Sequence, residues 1–168
     1  MEEITNGYFF SPTKGNMTLD HVVDEIISYV KEDTEKFYDV VVGCDSSSGE
    51  EPNFPLAVVV LRKGEGGRFF LKRIKYSSER KFYNWKQRIL NEVYLSCQLA
   101  LLLREKFGEK AGKEISNYEL KYIHADVGEN GVTKDMIKEV TGLIRGNGFE
   151  PKIKPESFVA SIVADRYA

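Results

Sequence analysis

The stretch Tyr38-Asp39-Val40-Val41-Val42-Gly43-Cys44-Asp45-Ser46-Ser47-Ser48-Gly49 decides the architecture. Its first half is a β-branched run with little charge, as expected of a central strand covered on both faces. Asp45 to Gly49 is turn chemistry, so the strand runs into a loop. Downstream, Phe54 to Leu61 reads as a second strand and Arg68 to Tyr76 as a third, joined by the glycine-rich hairpin turn Lys63-Gly-Glu-Gly-Gly67. Upstream, Thr18 is placed to cap a helix whose Leu19, Val22, Val23, Ile26, Ile27 and Val30 form one apolar stripe. Residues 1–17 read as irregular and rich in turns.

Beyond the third strand the period changes. A long helix is predicted from about Lys81 to Phe107, with Phe82, Trp85, Ile89, Val93, Cys97, Ala100 and Leu101 facing inward. Asn117 to Asp126 alternates, which would place Tyr118, Leu120, Tyr122, His124 and Asp126 on one face of a fourth strand. Gly128-Glu-Asn-Gly131 breaks the chain. A helix then covers about Thr133 to Arg145 and ends at Gly146 or Gly148. Phe149 to Lys154 is a short fifth strand, and Ser157 caps a last helix that carries the chain to its end. Three strands with tight links form an antiparallel meander, and two strands each preceded by a helix return parallel. The fold class is therefore α/β, a mixed five-stranded sheet flanked by helices, with an extra N-terminal helix. Residues 1–168 fit one domain, in which 1–35 form an N-terminal extension and the helix packed on it.

Composition narrows the function classes. Hydrophobic residues make up 42% of the chain, too many for disorder, and the net charge of −2 leaves nucleic-acid binding to local clusters. Cys44 and Cys97 lie in apolar runs without metal-like spacing and read as buried thiols. The first residues lack a secretory pattern and no apolar run reaches membrane-spanning length, so a cytoplasmic, membrane-free protein is expected.

Asp45 and Asp126 fall where the first and fourth strands end, the side of an open α/β sheet on which sites form. Each also fits an ordinary turn opener. Glu92 lies at the edge of the long helix's buried stripe, and Asp165 shares a face of the last helix with Ser161 and Ile162. Taken singly, each of these two suits a solvated helix residue. Together, an acid on the first strand, one on the first crossover helix, one on the fourth strand and one on the last helix form the arrangement of RNase H-like nucleases.

Such a site suits Mg²⁺ or Mn²⁺, hard ions that take carboxylate and water oxygens. Acids brought together repel, so without metal at least one should hold its proton to raised pH. Two divalent ions, roughly 4 Å apart, would relieve that repulsion, activate water and stabilise the leaving oxygen of a phosphodiester.

Three stretches carry a resemblance: Gly43-Cys-Asp45-Ser46; His124-Ala-Asp126-Val-Gly-Glu-Asn-Gly131-Val-Thr-Lys134; and Lys154-Pro-Glu-Ser157-Phe-Val-Ala-Ser161-Ile-Val-Ala-Asp165. With Phe9-Phe-Ser-Pro-Thr-Lys-Gly15 and Asn91-Glu-Val-Tyr-Leu-Ser96, the chain resembles the YkuK-like family, bacterial proteins assigned to the RNase H-like fold. The resemblance implies that fold and a site at Asp45, Glu92, Asp126 and Asp165. Cys44 and Ser47 stand where the family pattern has threonine and glutamine.

Between Arg62 and Arg88 there are ten Lys or Arg against two Glu, interleaved with Tyr76, Phe82, Tyr83 and Trp85. That mixture suits phosphate contact with base stacking, and equally an edge strand protected by lysines. Ser46, His124 and Lys154 are candidate substrate contacts; His124 also suits a buried structural role, and Lys154 an exposed one. The expected function is a metal-dependent nuclease acting on RNA, DNA or a hybrid. The alternative is a non-catalytic nucleic-acid or protein-binding module with the same fold.

Overall fold

The computed structural model describes residues 2–167; the domain ends expected above, at 1 and 168, lie outside these. The elements run α1 (Glu2–Thr5), β1 (Phe9–Ser11), β2 (Gly15–Met17), α2 (Leu19–Glu32), β3 (Tyr38–Cys44), β4 (Phe54–Arg62), β5 (Gly66–Ile74), α3 (Trp85–Lys110), β6 (Tyr118–His124), α4 (Ile137–Gly146) and β7 (Glu150–Lys152). A 3-10 stretch, Val132–Met136, leads into α4, and the chain closes with a π-helical turn, Val159–Ala164, and a 3-10 turn, Asp165–Tyr167.

The sheet has seven strands in the order β2-β1-β5-β4-β3-β6-β7, not five. The meander β3-β4-β5 is antiparallel, and β6 and β7 add in parallel beside β3, as predicted. The two extra strands come from residues 9–17, which the sequence presents as irregular. They form a short hairpin in which Phe9 pairs with Met17, and β1 joins β5 through Phe10 and Leu71. Only Phe9, Ser11 and Met17 of this hairpin turn inward, so its strands are too short to show a period.

The amphipathic stripe of α2 is buried as predicted, and Thr18 caps it by accepting the His21 N–H at 3.3 Å. Each fully buried Val or Ile there contributes about 1.5–3 kcal/mol. The long helix begins at Trp85, later than expected. Asn84 is its cap, accepting the Gln87 N–H, while Gln87 accepts the Tyr83 N–H, so Lys81–Tyr83 stay in the loop. The helices pack on one face of the sheet over a large core that includes Val40, Val42 and Cys44 of β3. The opposite face holds a smaller cluster, with Val41, Ala57, Val59 and Leu71 beneath Val159 and Ala164 of the closing turns.

Gly43 makes that second layer fit. A Cβ there would lie 2.8 Å from the Ala160 backbone nitrogen and 2.9 Å from a Val159 methyl, so only glycine lets the closing turns lie flat on β3.

The predicted single-face alternation of the fourth strand is corrected by a register shift. Val40 pairs with Leu120 but Val42 with Ile123, a bulge that puts two residues opposite Val41. Tyr118 and Leu120 therefore pack into the larger core, and Tyr122 into the smaller one. The bulge turns His124 toward the closing turns as well, where its ring stands edge-on to Phe158. The closing segment is not the one regular helix that the sequence predicts; its backbone widens into a π turn instead, with Ser157 and Ser161 hydroxyls 2.8 Å apart at its start.

Candidate functional site

The carboxyl ends of β3 and β6 lie side by side, because the parallel pairing runs up to Gly43 and His124. Just past these ends the chain is tied down rather than loose. Asp45 and Ser47 N–H groups donate to Pro55 and Asn53 carbonyls, and Ala125 N–H donates to the Lys152 carbonyl. Asp45 and Asp126 are thus held at neighbouring strand ends, as the sequence predicts.

A cavity of about 220 Å³ opens here, lined by Asp45, Ser46, Arg88, Glu92, Asp126 and Lys154, with Trp85, Ile89, Val132 and Thr133 completing its wall. Asp45 is only 7% exposed and Glu92 6%. Burial is the main reason that the Asp45 carboxyl is pushed up to about 7; a hydrogen bond with the Asp165 carboxylate and the charge of Asp126 add to the rise. The Ser46 N–H, donating to Asp45 Oδ1 at 2.8 Å, opposes it. Burial also drives Glu92 well above the ordinary carboxylate range, helped by Asp45 and Asp126. The Ser46 hydroxyl donates to Glu92 Oε1 at 2.5 Å and, with Arg88, offsets part of that rise.

Successive residues at the end of β3 reach opposite sides. Asp45 continues the phase of Val41 and Gly43 toward the closing turns and meets Asp165; Ser46 continues that of Cys44 toward α3 and meets Glu92. All four predicted acids therefore gather around the end of β3. Glu92 is buried within α3 and lines the cavity, whereas Asp165 is an exposed residue outside the cavity lining that meets Asp45 on the other side of β3.

Lys154 Nζ stands 3.1 Å from Asp126 Oδ1, near enough for ion pairing but without hydrogen-bond alignment. That oxygen is buried and has no hydrogen-bond donor among the described residues. The approach depends on Gly128, where a Cβ would meet Lys154 Cβ at 3.0 Å. Among the described residues, no three His, Cys, Asp or Glu side chains converge tightly enough to hold one metal ion. The acids instead engage one another, the Ser46 hydroxyl and the Lys154 ammonium.

Ser46 and Lys154 reach the cavity; His124 does not. It is 4% exposed, its Nδ1 accepts the Val159 N–H at 3.2 Å, and burial lowers its pKa to about 4. This neutral imidazole fastens the closing turns to the sheet. Arg88, Trp85 and Thr133 line the site without having been expected there. A signal for Arg88 does exist in the sequence, since it lies one helical turn before Glu92 on the same face of α3. Its guanidinium donates to the Ser47 carbonyl at 2.9 Å and so braces the loop that carries Asp45.

A family model described as Ribonuclease H-like matches residues 21–168. A protein of Bacillus subtilis (strain 168), named Uncharacterized protein YkuK, is 28% identical over 172 residues, covering 95% of each chain. No solved structure matches the chain. No described helix is long and apolar enough to cross a membrane. With the sheet topology above, these matches establish that the chain belongs to the ribonuclease H-like family, as a relative of the YkuK-like proteins.

Proposed function

We propose that the chain is a divalent-metal-dependent phosphodiesterase that hydrolyses nucleic acid, with Asp45, Glu92, Asp126 and Asp165 as its working acids. The observation that carries this reading is the meeting of carboxylates from four separate elements around Asp45, where burial and mutual repulsion hold that carboxyl up to about 7. Burying Asp45 and Glu92 beside further acids costs stability, which points to a role in chemistry rather than in folding.

The donors suit Mg²⁺ or Mn²⁺. They are all hard oxygens, and Asp126 offers one buried oxygen that lacks a hydrogen-bond donor among the described residues. Asp45, Glu92, Asp126 and Asp165 would hold the metal once their side chains draw closer than they stand here and Lys154 leaves Asp126. When bound, a divalent ion supplies Lewis-acid activation of the phosphodiester and of the attacking water. The chain's own residues do the rest. Arg88 and Lys154 present positive charge to the phosphate from two walls of the cavity, and Ser46 fixes the orientation of Glu92.

End-labelled single strands, duplexes, RNA–DNA hybrids and branched junctions, incubated with Mn²⁺, Mg²⁺ or EDTA, test this. Cleavage is expected to need both the metal and Asp45; cleavage that persists in a clean preparation of Asp45→Asn refutes the reading. A non-catalytic binding module is favoured by one observation, that no three of the described acids stand close enough to share one ion. In that case nucleic-acid binding is unchanged by EDTA and by Asp45→Asn, and no cleavage occurs with any substrate.

A further inference from the structure

The basic, aromatic stretch around residue 80 divides in the folded chain. Tyr76 and Phe82 turn inward, each packing on Phe54 at ring centroid distances of 5.7 and 5.1 Å. Tyr83 turns outward and is 72% exposed; Tyr94, further along α3, is 46% exposed. Between them lies a groove of about 490 Å³, lined by Arg80, Lys81, Tyr83, Gln87, Leu90 and Tyr94 among others.

This groove is not isolated. Tyr83 also lines a second hollow of about 270 Å³ with Glu50, Trp85 and Arg88, and Trp85 and Arg88 in turn line the acid crevice. The three hollows make one track around the first turns of α3, from an outer aromatic groove to the carboxylates.

The walls of the track are largely fixed. The Tyr83 backbone is locked by the Asn84–Gln87 cap, so its ring is presented without a loop rearrangement. The Arg80 guanidinium lies over the Tyr76 ring at 4.1 Å and donates to Asn91 Oδ1 at 2.9 Å. Lys86 lies 5.6 Å above the Trp85 ring. Two acids border the track: Glu50 lines the middle hollow, and Glu51 is paired with Lys81.

Exposed aromatic faces among cations suit a polyanion whose bases are free to stack. In a duplex those faces are already stacked on their neighbours, whereas a single strand offers them. We propose that this track binds single-stranded nucleic acid, with bases stacked on Tyr83 and Tyr94 and the backbone led past Arg88 into the crevice. The direction of the strand rests on the nuclease reading; the binding itself does not.

The test uses the full chain in EDTA, which separates binding from cleavage. Fluorescence anisotropy with labelled oligo-dT and oligo-A of about twelve nucleotides compares wild type, Tyr83→Ala/Tyr94→Ala and Tyr83→Phe/Tyr94→Phe. Both rings are exposed, so neither pair of substitutions opens the core. Removing the rings should weaken binding about tenfold or more. The phenylalanine pair, which still stacks, should bind within about twofold of wild type. Unlabelled duplex of the same sequence should compete poorly.

Equal binding by the alanine pair, equal competition by duplex or by polyglutamate, or no binding of either oligonucleotide overturns the proposal. Failure of the nuclease reading looks different: stacking-dependent binding survives while no metal-dependent cleavage occurs. Metal-dependent cleavage together with ring-independent binding overturns the track alone.

Discussion

Replacing Asp45 by Asn should stabilise the protein in the absence of metal, and the gain should depend on pH. The asparagine amide occupies nearly the same volume and mimics a protonated carboxyl. Its oxygen still accepts the Ser46 N–H, which lies 2.8 Å from Asp45 Oδ1, and its NH₂ can donate to Asp165. What it removes is the cost of ionising Asp45 beside Asp126 and Asp165 in a buried position. The rise of that carboxyl from 3.8 to about 7 corresponds to roughly 4 kcal/mol at 1.36 kcal/mol per pH unit. Solvent reaching the crevice reduces this to about 2–3 kcal/mol. The folded state keeps this proton to higher pH than the unfolded chain does. The group's favourable contribution is therefore complete below about pH 4 and is lost as pH rises to about 7. Wild type and Asp45→Asn should thus unfold alike near pH 4. At pH 8 in EDTA the variant should be more stable by about 2–3 kcal/mol, or about 5–10 °C in Tm for a chain of this size. Urea titrations and thermal melts at both pH values measure it. Millimolar Mn²⁺ should narrow or reverse the gap, because binding stabilises the form that keeps the acid. A pH-independent difference, or an asparagine variant less stable at pH 8, refutes the account of Asp45 as a carboxyl that burial and neighbouring acids keep from ionising.

Gly43→Ala should cost about 1–3 kcal/mol, since the new methyl would lie 2.8 Å from the Ala160 backbone nitrogen and the closing turns must shift. Urea denaturation checks the cost, and faster proteolysis within residues 159–167 checks its location; wild-type behaviour in both refutes it. His124 should stay neutral well below its usual range, titrating near pH 4 by NMR because burial disfavours the imidazolium. Its depressed pKa gives a stabilising contribution that is present above about pH 6.5 and lost as pH falls through about 4, and a midpoint near 6.5 would contradict its fastening role.

Much of this is legible in the chain because it depends on local chemistry. The run from Tyr38 to Asp45 marks a central strand and its end, and the stripe from Leu19 to Val30 marks a helix face. Glu92 is visible as an acid at the edge of an apolar stripe. Its burial is not, because that depends on how closely Ser46 and the cavity approach α3. The features that escape depend on a partner. The apparent alternation of Tyr118, Leu120 and Tyr122 is real in the sequence, but the bulge that splits them is set by the register against β3. Strands β1 and β2 hold three residues each and gain their place by pairing with each other and with β5. Tyr76, Phe82 and Tyr83 all lie before the helix, and their division is set by Phe54, on which Tyr76 and Phe82 pack while the Tyr83 ring is left in solvent.

The placement of the acids also explains why β3 must be so apolar. Charge gathers at one end of this strand, with Asp45 meeting Asp165 on one side and Ser46 meeting Glu92 on the other. The opposing force comes from the strand itself, paired along its length with β4 and β6 and covered above and below. A strand held from four directions keeps acids from separate elements together with only Lys154 and Arg88 to relieve them among the described residues. The two sides are not equally firm. Glu92 sits on a 26-residue helix in the main core, whereas Asp165 rides on short π and 3-10 turns. Those turns are fastened by His124, by the Gly43 contact, and by Arg73 and Asn53, which donate to the Tyr167 carbonyl at 3.1 and 3.3 Å. Disturbing the site from outside should therefore displace Asp165 first and Glu92 last.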